Sequence, residues 1–98
     1  MGFSLNENIR NLRIARGLNQ VEFAKVLEVT KQCISNWEND NIGPSVEMLE
    51  KIANFFSVST DYLLGRSERA TLDVSSLTPE QISHISLIIR DFEKLNEK

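Results

Sequence analysis

The sequence holds few of the residues on which disulfides, metal sites and acid-base catalysis depend. Its 98 residues include 1 cysteine and 1 histidine. A single cysteine excludes an internal disulfide and a cysteine-rich zinc site, and one histidine leaves metal binding and catalysis short of partners. No apolar run approaches the roughly 18 residues of a membrane span. These absences predict a cytoplasmic protein that is not an enzyme and needs no metal or other cofactor.

An excess of positive charge is also missing. The chain has 11 Lys and Arg residues against 14 Asp and Glu residues, which gives a formal net charge of -3. This balance argues against indiscriminate binding to polyanions. Hydrophobic residues make up 41% of the chain, an ordinary share for one small globular domain. Any interpretation as a nucleic-acid binder must therefore depend on where the charges lie.

What the sequence does contain is a series of helix-start signals, each followed by apolar residues at helical spacing. The capping residues are Ser4, Asn19, Thr30, Ser45, Ser59 and Thr78. Gly17 and Gly65 supply left-handed stops after the first and fifth helices. The predicted helices span about 5–16, 20–27, 31–39, 46–56, 60–64 and 79–95. We therefore predict an all-α fold.

The third predicted helix, 31–39, has two different faces. At about 100° per residue, Ile34 and Trp37 fall on one side and polar side chains fall on the other. The polar side carries Lys31, Gln32, Ser35, Asn36 and Asn39, with no carboxylate. Amides can pair with adenine and lysine can bind guanine acceptors, whereas a carboxylate in the groove would face phosphates. This face suits base reading in a DNA groove, and a merely solvated helix face is the alternative.

Four segments together resemble a known family. They are Leu18–Ala24, Val29–Glu38, Pro44–Ser45 and Thr60–Gly65 (LNQVEFA, VTKQCISNWE, PS and TDYLLG). In this order they resemble the Cro/repressor-type (XRE-like) helix-turn-helix family of transcriptional regulators, over about residues 5–65. The resemblance implies a compact five-helix domain whose third helix enters the major groove of double-stranded DNA.

The resemblance also implies roles for individual residues at DNA. The positions that match base-contacting residues of the family are Lys31, Gln32, Ser35 and Asn36. Gln20, at the start of the second helix, matches a residue that binds a phosphate, which suits a helix N-terminus. The remaining predicted phosphate contacts, near the same face, are Arg10, Arg16 and Asn39.

Two further features of the resemblance concern charge. Arg13 and Glu38 match a pair that commonly forms a structural ion pair in the family. The loop 39–43 departs from the family pattern, because it lacks Lys and Arg and adds Asp40. We therefore expect low non-specific affinity for DNA.

The last predicted helix carries an apolar stripe about 140° wide. Its members are Ile82, Ile85, Ile88, Ile89, Phe92 and Leu95. We expect a DNA-binding domain at 1–65, a linker at 66–77, and in 78–98 a helix that pairs with its copy in a second chain. A homodimer would present two third helices to half-sites about one DNA turn apart. The alternative is a last helix that folds back onto its own domain.

These observations predict a sequence-specific, DNA-binding transcriptional regulator that acts as a repressor and binds a palindromic operator as a homodimer. The alternative is a protein-interaction module, such as an antitoxin or an adaptor, that binds a protein partner through the C-terminal helix. The acidic C-terminal segment and the poorly basic loop favour that alternative slightly. Cys33, at the border of the polar face, is interpreted as a small filler residue, and a redox switch is the alternative.

Overall fold

The computed structural model describes residues 3–67 and 71–97, and the regular structure within those ranges is helical. Six helices follow one another: α1 (Leu5–Ala15), α2 (Gln20–Leu27), α3 (Lys31–Glu38), α4 (Val46–Phe56), α5 (Thr60–Leu63) and α6 (Pro79–Asn96). Every helix ends within one residue of its predicted boundary. The all-α prediction is therefore confirmed.

The helices begin where local side chains satisfy their first backbone donors. The side-chain oxygen of Asn19 accepts a hydrogen bond from the backbone N–H of Glu22 at 2.7 Å. The Glu22 carboxylate accepts one in return from the backbone N–H of Asn19 at 2.9 Å. Thr78 and Gln81 form the same reciprocal pair at the start of α6. The beginnings of these helices are thus determined by residues within one turn of them.

The first five helices, α1 to α5, together enclose the apolar core. Its largest fully buried side chains are Phe23, Ile9, Leu27, Ile34, Ile52 and Leu63. α3 packs against α1 and α2, and α5 packs against α1 and α4. The ring centroids of Phe23 and Phe56 lie 5.4 Å apart, so α2 is fixed against α4. Because two-turn helices are marginal in isolation, this packing is what holds α2 and α3 in place.

A short segment joins the core to α6. Val58 and Leu72 form an isolated antiparallel bridge, and the backbone N–H of Asp73 donates to the carbonyl of Ser57 at 3.1 Å. Residues 68–70 of the predicted linker lie outside the described residues. So do residues 1 and 2 of the predicted DNA-binding domain and residue 98 of the predicted C-terminal segment.

α6 itself contributes nothing to the core. None of its residues is buried, and its apolar stripe is largely exposed. The exposed fractions of Ile88, Ile89 and Phe92 are 52%, 47% and 60%. This arrangement differs from the fold-back alternative, in which the stripe would be covered by the protein's own domain.

Candidate nucleic-acid interface

The outer face of α3 carries the four side chains predicted to contact bases. They range from half-buried to exposed and are Lys31, Gln32, Ser35 and Asn36. On the opposite side of the helix, Ile34 is 0% exposed and Trp37 is 8% exposed. Trp37 is thus a core residue. α3 is anchored by its apolar side and presents amide, hydroxyl and ammonium groups outward, which are the groups that read base edges.

Two hydrogen bonds link neighbouring turns of this face. Nε2 of Gln32 donates to Oδ1 of Asn36 at 3.0 Å, and Nδ2 of Asn39 donates to Oγ of Ser35 at 3.2 Å. Both pairs have the i,i+4 spacing that brings side chains together on a helix. Gln32 then retains its carbonyl oxygen and one N–H, while Asn36 retains both of its N–H groups. The face therefore carries polar groups that are linked in pairs along the helix.

Behind the face, Arg13 of α1 and Glu38 of α3 form a buried ion pair. Nε of Arg13 lies 2.6 Å from Oε2 of Glu38, and Nη2 donates to Oε1 at 3.0 Å. The two side chains are 11% and 3% exposed. Nη1 of Arg13 also donates to the backbone carbonyl of Leu18 at 2.7 Å. The pair thus joins α1, the α1–α2 turn and the end of α3, and it balances the charge of Glu38 locally.

Gln20, the first residue of α2, joins the same pair. Its Nε2 donates to Oε1 of Glu38 at 3.2 Å. No described residue accepts a hydrogen bond from the backbone N–H of Gln20 or of Val21, as is usual at the start of a helix. Free N–H groups and the helix dipole make such a position favourable for an anion. This end of α2, next to α3, therefore carries hydrogen-bond donors of the kind that an anion accepts.

The other predicted phosphate contacts lie elsewhere on the surface. The guanidinium carbon of Arg16 lies 5.1 Å from the ring centroid of Phe55 and 5.3 Å from that of Phe56, in cation–π contact. Arg10 is exposed on α1, and Asn39 is exposed just after α3. Arg16 therefore has a packing contact with α4 that the sequence did not indicate.

Two of these hydrogen bonds, Gln32–Asn36 and Gln20–Glu38, were not predicted from the sequence, and the reasons differ. The Gln32–Asn36 bond has a local signal, because a Gln and an Asn four residues apart on a helix can bond to each other. The Gln20–Glu38 bond has none, because it joins residues 18 positions apart on different helices. Only the packing of α2 against α3 brings those two side chains together.

The described ranges contain little else that suggests a chemical site. Residues 3–67 and 71–97 hold no group of three or more His, Cys, Asp or Glu side chains that could bind a metal ion. No helix in those ranges combines the length and the apolar character needed to cross a membrane. Cys33 is half-buried and packs against the core, in agreement with its interpretation as a filler.

Comparison with known proteins gives matches over the same helices. The helix-turn-helix family model matches residues 9–63. The HTH-type transcriptional regulator ImmR of Bacillus subtilis is 32% identical over 92 residues, which is 94% of this chain and 72% of that protein. The antitoxin PezA of Streptococcus pneumoniae is 30% identical over 64 residues, which is 65% of this chain and 40% of that protein.

A solved structure gives a similar match. The P22 c2 repressor, crystallised in complex with a synthetic operator, superposes with a TM-score of 0.62 and 29% identity. That match covers 66% of this chain and 98% of the repressor chain. The region matched by the family model contains the α3 face, the Arg13–Glu38 pair and the start of α2.

Proposed function

The chain belongs to the helix-turn-helix family of DNA-binding transcriptional regulators, and from that membership we propose that it represses transcription as a homodimer on a palindromic operator. The observation that carries the proposal is the outer face of α3, which is polar, free of carboxylates and fixed by core residues on its other side. The P22 c2 protein, a repressor that binds an operator, supports the assignment as a repressor. The family is one of regulators, so the proposal includes no catalytic activity and no cofactor.

In the proposed complex, α3 lies in the major groove. Gln32 and Asn36 contact base edges with their amide groups, and Lys31 reaches guanine acceptors. Ser35 adds a hydroxyl that can donate or accept. Because these side chains come from one helix whose apolar side is buried, a small shift of α3 in the groove would move all of them together.

Phosphate contacts fix α3 in that position. The start of α2 supplies the side-chain amide of Gln20 and two backbone N–H groups. These neutral donors can bind an anion without a positively charged side chain. Arg10, Arg16 and Asn39 contact the flanking backbone. This set contains few cations, which suits a chain of net charge -3 whose binding depends more on the sequence of the DNA than on its charge.

We further propose that the chain divides into a DNA-binding domain at 1–65, a linker at 66–77 and a dimerisation helix within 78–98. α1 to α5 share the buried core, and no residue of α6 belongs to it. The exposed stripe of α6 is covered by the same stripe of a second chain. The contacting residues are Ile82, Ile85, Ile88, Ile89, Phe92 and Leu95. Two copies of α3 then face half-sites about one DNA turn apart.

The experiment that tests this proposal is selection of bound duplexes from a random DNA pool at low and at near-physiological salt. Enrichment of a palindrome with half-sites about 10 base pairs apart, retained at the higher salt, is the expected result. The control is the variant in which Gln32 and Asn36 are both replaced by Ala, which should not enrich the same palindrome. No enrichment at low salt by a folded protein would overturn the proposal.

An interaction module is the second candidate, since the α6 stripe is exposed and the antitoxin PezA is similar over part of its length. On that alternative, α6 binds and neutralises a protein partner. Deletion of α6 separates the two functions. A regulator loses dimerisation and operator affinity together, whereas an adaptor loses only its partner.

A further inference from the structure

Glu38 lies where α1, α2 and α3 meet, and it connects two parts of the proposed DNA interface. It is the last residue of α3, and its Oε1 accepts a hydrogen bond from Nε2 of Gln20 at the first residue of α2. We propose that Glu38 is a positioning residue, which orients the Gln20 amide for contact with a DNA phosphate without touching the DNA itself. This inference rests on the proposed function, because it concerns how the same interface is prepared for binding.

A carboxylate is well suited to fixing the orientation of an amide. A glutamine side chain can rotate by half a turn and exchange its oxygen and nitrogen, which changes a donor into an acceptor. Ionised Glu38 can only accept, so the rotated Gln20 would place two oxygen atoms against each other. The N–H side of Gln20 therefore stays on Glu38, and the second N–H of the same nitrogen remains as a donor for a phosphate oxygen.

Glu38 can do this because it is itself held firmly. Arg13 donates to both carboxylate oxygens of Glu38, at 2.6 and 3.0 Å, and the Glu38 side chain is 3% exposed. Nδ2 of Asn6 donates to its backbone carbonyl at 3.4 Å. The charge of Arg13 also cancels most of the field that a buried carboxylate would exert on a nearby phosphate. Without that cation, Glu38 would repel the anion that Gln20 is placed to bind.

The arrangement couples phosphate binding to base reading. The amide of Gln20 is fixed relative to the end of α3, and the base-reading side chains lie on the same helix. A phosphate bound at the start of α2 therefore sets the depth and the register of α3 in the groove. Loss of the Glu38 contact should weaken binding even when α3 and its base-reading side chains are unchanged.

A double-mutant cycle in DNA binding tests the proposal. The variants are Gln20→Ala, Glu38→Gln and the double variant. Their Kd values are measured by fluorescence anisotropy at a temperature where circular dichroism shows each to be folded. The probes are the duplex enriched by selection and a duplex of mixed sequence. Gln20→Ala should weaken binding about tenfold, the loss of one hydrogen bond to a charged group. Glu38→Gln should weaken it by a similar factor, but by less than about twofold when Gln20 is already Ala.

That non-additivity distinguishes positioning from general damage to the fold. If Glu38→Gln weakened binding equally in both backgrounds, its effect would not pass through Gln20 and the inference would be wrong. If the wild-type chain bound neither duplex at low salt, the proposed function would be wrong and this inference with it. Additive losses in a chain that does bind would overturn the inference alone.

A measurement on the wild-type chain covers the case in which Glu38→Gln does not fold. The side-chain ¹⁵N–¹H NOE of Gln20 in the free protein reports whether its amide is ordered on the picosecond-to-nanosecond scale. The exposed side chain of Asn54 on α4 is the internal control. The expected result is an ordered Gln20 amide beside a mobile Asn54 amide. A Gln20 amide as mobile as that of Asn54 would overturn the proposal.

Discussion

Glu38 carries a formal charge into the interior of the protein, where three side-chain hydrogen bonds compensate it. Two come from Arg13 and one comes from Gln20. A buried ion pair often adds little net stability, because desolvation of both ions offsets their attraction. Removal of one charge has a larger effect, since the other ion is then buried without a partner. At the scale of single residues, the stability of this domain should therefore be sensitive to the charge at position 38.

We predict that Glu38→Gln lowers the free energy of unfolding by about 1 kcal/mol or more. The substitution keeps the shape of the side chain but leaves the guanidinium of Arg13 without a counter-charge. In a domain of this size, a loss of about 1 kcal/mol lowers Tm by about 4–8 °C. Thermal unfolding followed by circular dichroism measures the change. Glu50→Gln, at an exposed position on α4, is the control and should leave Tm nearly unchanged. An equal Tm for the Glu38 variant and the wild type would show that the pair contributes no stability.

The glycines provide a second prediction at this scale. Gly65 has a φ of 73°, and a Cβ added there would lie 2.6 Å from the backbone oxygen of Phe3. Gly17 has a φ of 77°, but a Cβ there would meet nothing within 4 Å. Gly65→Ala should therefore destabilise the fold by about 2 kcal/mol or more, and Gly17→Ala by about 1 kcal/mol. Gly43→Ala, in open space without a positive φ, is the control and should be close to neutral. Urea unfolding measures all three, and equal losses at Gly65 and Gly17 would contradict the close contact with Phe3.

Local chemistry explains why the sequence predicted the helix starts, whereas the backbone conformation just after two of the helices had no local signal. A cap such as Asn19 bonds within its own turn, so its sequence signal is complete. The residues that follow α2 and α4 are Glu28 and Ser57, which adopt φ values of 59° and 55° without being glycine. Each is followed by a valine that packs against the core, at Val29 and Val58. Tertiary burial offsets the cost of the left-handed residue there, and no local pattern reveals such burial.

At the scale of elements, α3 is where periodicity was most informative. Stepping about 100° per residue separated its buried side from its polar side, because one short helix with one buried face obeys that rule closely. The contacts that α3 makes across to α1 and α2 depend on how three helices cross. The Arg13–Glu38 pair was expected through family resemblance, whereas the Gln20–Glu38 bond was not expected at all.

Gln32 and Asn36 should act as a pair in base reading. Gln32→Ala should cost about 1–3 kcal/mol of binding free energy and relax the preference at one base position. Asn36→Ala should also weaken selectivity at the Gln32 position, because Oδ1 of Asn36 accepts from Nε2 of Gln32 at 3.0 Å and so holds it in place. The two losses should be non-additive in a double-mutant cycle on the selected duplex.

The control for that cycle is Asn54→Ala, at an exposed position on α4 and outside the predicted base-reading and phosphate-contacting residues. It should leave both affinity and base preference unchanged. Equal losses for Gln32→Ala on the selected duplex and on random DNA would contradict a base-reading role. Strict additivity of the Gln32 and Asn36 substitutions would mean that each side chain reads the DNA independently.

At the scale of the whole molecule, α6 determines, in the proposed dimer, whether two domains without a net positive charge can act together. Its stripe has no cover in the described chain, and about two heptads are too few for an isolated coiled coil. Binding of both domains to one duplex adds the second contact at high effective concentration. A dimer linked through α6 can therefore reach an affinity that one domain with few cations cannot.

We predict that Ile89→Glu converts the proposed dimer to a monomer, because it places a charge on the apolar stripe, midway along its length. Sedimentation velocity measures the change in mass. The variant should also lose the wild-type preference for a duplex with two half-sites over a duplex with one. Leu87→Glu is the matched control, since it adds the same charge to the same helix at a side chain that is 58% exposed. Leu87 lies about 150° from the centre of the stripe, so its substitution should leave the dimer intact. If the Ile89→Glu variant remains dimeric, the dimer interface lies outside α6. If both variants become monomeric, α6 pairs through a face other than the stripe or fails to tolerate added charge.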